Sequence, residues 1–142
     1  MSGLRRTVNR VLPRVHAKIL RWSGGRIGAH IGAARICLLT TTGRRSGKPR
    51  TIPLNTYTDG DRVVLIASND GQDHHPDWFY NLVATPAATI SFDHNVLHRR
   101  GRLATEDERA DLWPKITTWY PAYARYQSRT KRTIPLFIFD PG

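Results

Sequence analysis

Residues 38–57, LLTTTGRRSGKPRTIPLNTY, leave the chain few folds to choose from. They read as strand, turn, strand. Residues 35–42 are apolar and β-branched. Beyond the turn, Ile52, Leu54 and Thr56 alternate with Thr51, Asn55 and Tyr57, the period-two pattern of a half-buried strand. Gly43 and Gly47 bracket the turn, where glycine takes a positive φ at little cost. Arg44, Arg45, Lys48 and Arg50 crowd the same turn. Four cations on one hairpin repel each other unless an anion sits among them, and backbone N–H groups in such a turn can form an anion-binding nest. Two readings follow: a grip for an oxyanion or phosphate, or a solvated tip whose charges only aid solubility. The spacing is one residue short of G-x-x-x-x-G-K, and Pro49 stands where a Walker loop needs Ser or Thr for magnesium. No G-x-G-x-x-G follows a strand here, so a dinucleotide fingerprint is excluded too.

The charge is as uneven as the turn suggests. Residues 1–58 hold 12 Lys or Arg and no Asp or Glu; residues 59–142 hold 10 cations and 11 anions. The whole excess of +11 lies in the first two-fifths of the chain. Such asymmetry points to an anionic partner: nucleic acid, acidic lipid or an acidic small molecule. Nucleic acid is disfavoured, because exposed aromatics should interleave with the basic stripe. Here most aromatics follow Trp78, whereas the charge excess precedes Asp59.

At 142 residues the chain is expected to bury a core without staples. Its one cysteine, Cys37, cannot form an internal disulfide and suits a reducing cytoplasm. Within an apolar strand it is expected to act as a small hydrophobe. No run approaches the roughly 20 apolar residues of a membrane span, and Arg10, Pro13, Arg14 and Lys18 break up any signal-peptide h-region. Residues 1–34 are expected to form a basic amphipathic helix, split near Pro13, and a glycine-containing join. Such a helix can lie on the inner face of an anionic membrane, or pack on the barrel or a second subunit.

Seven further elements follow in order. Residues 62–68 are a strand, reached by an Asp-Gly-Asp turn. His75-Pro76 opens a short helix, with Pro76 at its first position and Trp78, Phe79 and Leu82 on its apolar face. Residues 88–92 and 96–103 pair as antiparallel strands. Thr105 to Glu108 is a capping box that starts a helix toward Trp119, interrupted near Pro114. After a further helical turn opened by Pro121, residues 134–139 (IPLFIF) form a last buried strand. About six mostly antiparallel strands with short helices give an α+β, mainly β chain: a small barrel with residues 35–142 as its domain.

Three stretches besides the hairpin carry candidate chemistry. Ala67, Ser68, Asn69 and Gly71 lead from a strand end into His74, His75 and Trp78, a loop and helix start suited to an anion or a flat polar ring. Tyr120, Tyr123 and Tyr126 recur every third residue and can share one helical face. Tyrosine offers an apolar body and a polar tip, useful for a flat ligand and for proton donation; equally, such rings can simply pack in the core. Arg125, Arg129, Lys131 and Arg132 add cations before the last strand. No H-E-x-x-H, C-x-x-C or G-x-S-x-G occurs, so metal and serine-hydrolase readings are poor.

LLTTTGRRSGKPRTIPL, ASNDGQDHHPDWFYNL and WPKITTWYPAYARYQSRTKRTIPLFIF, in that order, resemble the deazaflavin-dependent nitroreductase family of actinobacteria. The resemblance covers residues 35–141. It implies a split β-barrel of the flavin-reductase-like kind and the deazaflavin coenzyme F-420, a flat tricyclic ring with a phosphate and an oligoglutamate tail. By the same resemblance Arg44, Arg45, Ser46, Gly47, Lys48 and Arg50 would hold the tail. Asn55 and residues Ala67, Ser68, Asn69, Gly71, His74, His75 and Trp78 would lie along the ring and phosphate. Tyr120, Tyr123 and Tyr126 would form the wall for an electron-poor acceptor: a quinone, an enone or a nitroaromatic. Three positions depart from the family pattern: Asp70 where glycine is frequent, and Arg45 and His74 where lysine is frequent. Non-catalytic binding of the coenzyme, or of flavin mononucleotide, is the alternative, and split barrels commonly form homodimers.

Overall fold

The computed structural model describes residues 35–92 and 94–142. The expected N-terminal helix and glycine join lie outside the described residues. Six strands run as β1 (Ile36–Thr42), β2 (Pro49–Asp59), β3 (Arg62–Ile66), β4 (Ala87–Phe92), β5 (Asn95–Leu103) and β6 (Leu136–Phe139). Three α-helices interrupt them: α1 (Asp77–Ala84), α2 (Glu106–Trp119) and α3 (Ala122–Ser128).

Every strand pairing is antiparallel, in the closed order β1-β2-β3-β6-β5-β4 with β1 returning to β4. Two long strands close the barrel by changing partners midway. β2 pairs with β1 as far as Asn55 and with β3 from Thr56. β5 pairs with β4 as far as Arg100 and with β6 from Gly101. Gly101 marks the second switch because a Cβ there would stand 2.6 Å from the Phe139 ring. Closure leaves no unpaired strand edge among the six.

Alternation along the strands sorts the core into two layers. Cys37, Leu39, Val63, Leu65, Ile90, Phe92, Phe137 and Phe139 point into the barrel, where Trp78, Phe79 and Leu82 of α1 join them. Val64, Ile66, Leu136 and Ile138 point out of it and are covered by Leu112 and Ile116 of α2 and Tyr123 of α3. Each layer contains several side chains that would contribute roughly 1.5–3 kcal/mol apiece by burial. Cys37 is 1% exposed and accepts a hydrogen bond from Thr56 Oγ1 at 3.0 Å. Burial pushes its thiol up to about 11, so it packs as a small hydrophobe.

Three local expectations need correction. Gly43 does not take a positive φ; in that turn only Gly47 does, at +70°. Gly43 sits instead in a crowded place, where a Cβ would stand 2.7 Å from Ser46 Oγ and 3.2 Å from the Lys48 carbonyl. Pro76 is the N-cap of α1 rather than its first helical residue, with extended ψ of 157°. Helix α2 runs unbroken through Pro114. Proline there deprives the Ala110 carbonyl of its helical partner, but Ala110 and Pro114 are both exposed and water can substitute. The Thr105–Glu108 capping box forms as expected, with Thr105 Oγ1 and Glu108 Oε1 accepting from each other's backbone N–H.

Candidate functional site

The basic turn between β1 and β2 folds over the N-terminal half of α1. Gly43 N–H donates to the Lys48 carbonyl and Gly47 N–H to the Gly43 carbonyl, both at 2.8 Å, which tightens the turn. Ser46 Oγ accepts from Lys48 N–H at 3.1 Å and from Arg50 Nη2 at 3.4 Å. Asn81, 5% exposed on α1, fixes the turn to the helix. Its Oδ1 accepts from both the backbone N–H and Nη1 of Arg44 at 3.1 Å, and its Nδ2 donates to Thr41 Oγ1 at 3.2 Å. Arg44 also reaches Asp77 Oδ1 at 3.4 Å and lies over the Tyr80 ring. Its guanidinium is thus already committed to α1.

A cleft of about 610 Å³ opens between this turn and the α1 entry. Its walls carry Arg44, Arg45, Ser46 and Arg50 on one side, and Asn69, His74, His75, Pro76, Asp77, Trp78 and Asn81 on the other, with Thr41, Gly43 and Ile52 between. That size lies within the range of small-molecule sites. Arg45 makes no hydrogen bond or ion pair with another described side chain, so its guanidinium is available to a ligand. One part of the wall is cationic and polar; another, built from Ile52, Pro76 and Trp78, is apolar. Among the described residues no group of three His, Cys, Asp or Glu side chains could hold a metal.

The segment that closes the far side is unusually shaped. Asn69, Asp70 and Gly71 take φ of 46°, 55° and 79° in succession. Asn and Asp tolerate that region better than other non-glycine residues, yet each such residue carries some strain. The contacts that hold it come mainly from Arg129, Thr130 and Arg132, just before β6. Arg132 donates from Nη1 to the Ala67 carbonyl at 3.1 Å, from Nη2 to the Ser68 carbonyl at 2.7 Å and from Nε to the Gln72 carbonyl at 2.8 Å. Thr130 donates to Asp73 at 3.0 Å, and Arg129 reaches the Asp70 carbonyl at 3.4 Å. Asn69 Nδ2 donates to the His74 carbonyl at 3.0 Å. Asp70 is exposed and does not line the cleft.

The fold therefore brings most of the expected binding residues to one cleft: Arg44, Arg45, Ser46, Arg50, Asn69, His74, His75 and Trp78. Gly47, Lys48, Ala67, Ser68 and Gly71 shape its turn and loop without lining it. Asn55 lies elsewhere. Its Oδ1 accepts from Arg35 N–H at 3.0 Å and its Nδ2 donates to the Tyr123 hydroxyl at 3.1 Å. Trp78 is mostly core, 5% exposed and edge-on to Phe137.

The three tyrosines do meet, with centroids 5.3 Å apart for Tyr120–Tyr123 and 6.0 Å for Tyr123–Tyr126. None lines this cleft; the row stands behind it, and Tyr126 touches Gly71 of the intervening loop. Tyr123 is buried and its hydroxyl pKa is pushed up, first by desolvation, so it keeps its proton at neutral pH. Sequence reasoning missed Thr41, Gly43, Ile52 and Asn81 as cleft residues, whereas Pro76 and Asp77 belong to the loop it expected along the ring. A polar Asn81 inside the apolar run of α1 was the available signal.

The sequence model of a family described as F420H(2)-dependent quinone reductase matches residues 12–141. An F420H(2)-dependent quinone reductase of Mycobacterium tuberculosis is 36% identical over 143 residues, covering 95% of this chain and 93% of its own length. A solved F420-H2 dependent reductase is 38% identical with a TM-score of 0.68, over 74% of this chain and 93% of its own. A second solved structure, described as a domain-swapped dimer, is 32% identical with a TM-score of 0.70 and covers 98% of both chains.

Proposed function

The chain belongs to the F420H(2)-dependent quinone reductase family, and from that premise we propose that the cleft between the basic turn and α1 holds the deazaflavin coenzyme F-420 for reduction of a quinone. The observation that carries this is that Arg44, Arg45 and Arg50 line one cleft together with the apolar Ile52, Pro76 and Trp78. A flat ring with a phosphate and glutamate tail needs that combination of an apolar slot and a cationic end. Arginine suits it, since its planar fork can grip phosphate and carboxylate with two hydrogen bonds. When bound, the reduced coenzyme supplies a hydride from its ring carbon, while the protein supplies position and electrostatics.

The chain's own part divides by element. Arg45 and Arg50 neutralise the tail, and Arg44, tied to Asn81 and Asp77, holds the turn against α1. The loop from Ala67 to His75 provides hydrogen-bonding groups along the ring and phosphate. Tyr120, Tyr123 and Tyr126 are assigned to the acceptor side, where their hydroxyls could orient or protonate the product. The contact between Tyr126 and the loop that reaches the cleft supports that assignment. A homodimer belongs to the same reading, supported by the domain-swapped relative. So does a peripheral membrane site, which would place the protein near a lipid quinone; among the described residues no helix is long and apolar enough to cross a membrane.

The test is a fluorescence titration of oxidised F-420, with flavin mononucleotide in parallel, followed by consumption of reduced F-420 with a soluble quinone. Saturable, salt-sensitive binding of F-420 and protein-dependent oxidation by the quinone are expected. Binding of flavin mononucleotide alone would overturn the coenzyme assignment. Tight F-420 binding without turnover would make the protein a carrier.

A further inference from the structure

We infer that Arg132 is a positioning residue that fixes His75 as the neutral Nε2–H tautomer and so makes it a hydrogen-bond donor toward the cleft. Arg132 Nη1 stands 2.8 Å from His75 Nδ1. A guanidinium nitrogen can only donate, so Nδ1 must accept and carry no proton. The ring proton of a neutral imidazole then lies on Nε2. The other Arg132 contacts, to the carbonyls of Ala67, Ser68 and Gln72, lock the guanidinium in place and prevent it from turning away. His75 itself is held between neighbours: its ring lies 4.2 Å from that of Phe79 and 5.7 Å from that of Tyr80. Since His75 lines the cleft, Nε2–H is the polar atom it has left to offer a ligand.

The electrostatics agree with the geometry. The His75 pKa is lowered, first by desolvation, then by the charge of Arg132 and by His74. A protonated ring would set N–H against N–H at Nδ1. His75 is therefore neither a general base nor an imidazolium that pairs with a phosphate. It is a neutral donor suited to a carbonyl or phosphate oxygen. The step from tautomer to coenzyme binding rests on the proposed function; the tautomer does not.

Two measurements keep these parts separate. Long-range proton–nitrogen NMR of the histidine rings in the coenzyme-free protein reads the tautomer directly. The Nε2–H pattern for His75 at neutral pH is expected, and an Nδ1–H or doubly protonated ring in the wild type overturns the inference whatever any variant does. Arg132→Met should give mixed tautomers with a raised His75 pKa, and about tenfold weaker F-420 binding, while Arg132→Lys should recover part of both. Circular dichroism melts identify any Met variant that has lost its fold, in which case the wild-type spectrum and the Lys variant decide. An Nε2–H ring in the folded Arg132→Met protein would also overturn the inference, since Arg132 would not be what sets it. If wild-type protein shows the expected tautomer but no F-420 binding, the coenzyme reading has failed and the Arg132–His75 arrangement stands.

Discussion

Gly71 and Tyr126 approach so closely that a Cβ on Gly71 would stand 2.6 Å from the Tyr126 carbonyl oxygen and 3.0 Å from its Cα. Glycine is required twice over, since its φ is +79°. This contact joins the loop bordering the cleft to the helix that bears the tyrosine row. Gly71→Ala should destabilise the protein by about 2 kcal/mol or more, from left-handed strain plus a backbone collision. It should also weaken F-420 binding, because Asn69 moves with the loop. Thermal melts and the fluorescence titration check both; an unchanged affinity in a destabilised variant would detach the loop from the coenzyme.

The cations of the basic turn should not contribute equally. Arg45 and Arg50 line the cleft, Lys48 does not, and Arg44 is engaged with Asn81 and Asp77. Arg45→Ala and Arg50→Ala should each weaken F-420 binding about tenfold at low salt, about 1.4 kcal/mol, with a smaller loss at high salt. Lys48→Ala should change it little. Equal effects from all three would mean a diffuse charge field rather than a defined grip.

Asn81→Leu keeps the size of a buried side chain but removes its hydrogen bonds to Arg44 and Thr41. The backbone N–H of Arg44 and the Thr41 hydroxyl then lose a partner, at about 1–3 kcal/mol for each group left buried and unsatisfied. Stability should fall, and coenzyme affinity should fall with it as the turn loosens from α1. Chemical denaturation and titration of the same preparation measure the two losses.

Turnover should separate the tyrosines from the tail grip. Tyr126→Phe and Tyr123→Phe should lower the rate of quinone reduction while coenzyme affinity stays within a few-fold. Tyr123→Phe should also cost stability, since Asn55 Nδ2 loses its acceptor. Unchanged steady-state rates in both variants would remove these hydroxyls from the reaction.

Acid should weaken the barrel through Glu108. Hydrogen bonds from Arg102 and from the Thr105 backbone hold its carboxyl down at about 2, against an ordinary 4.5. Arg102 also pairs with Asp140 at 2.7 Å, whose pKa is lowered chiefly by that hydrogen bond, so the cluster ties α2 to β5 and the end of β6. A depressed carboxyl contributes stability that is complete above about pH 4.5 and is lost as pH falls toward 2. Glu108→Gln keeps the cap but not the charge, and should cost about 1 kcal/mol near neutrality. The gap in melting temperature between wild type and variant should narrow between pH 5 and pH 3.

The barrel was largely legible because its determinants are local. Period-two alternation in residues 51–57, the turn glycines, the Thr105–Glu108 box and the apolar residues 134–139 each act within a few residues. The cation cluster at Arg44, Arg45 and Arg50 was equally visible, because charge density is a property of the chain itself. Pro114 misled, since the helix around it continues where the Ala110 carbonyl it frees is exposed to water, and exposure is not written in sequence. What needed the tertiary structure was every relation between distant segments. Asn81 lies 37 residues from Arg44 and 40 from Thr41, and Arg132 lies 57 from His75. Composition alone made Arg132 one more cation before the last strand. Only barrel closure, which brings β6 beside β3, sets its guanidinium against the Ala67, Ser68 and Gln72 carbonyls and the His75 ring. The amino-acid sequence determined which side chains the protein could use; three-dimensional closure decided which of them face one another, because hydrogen bonds are set by distance in space and not along the chain.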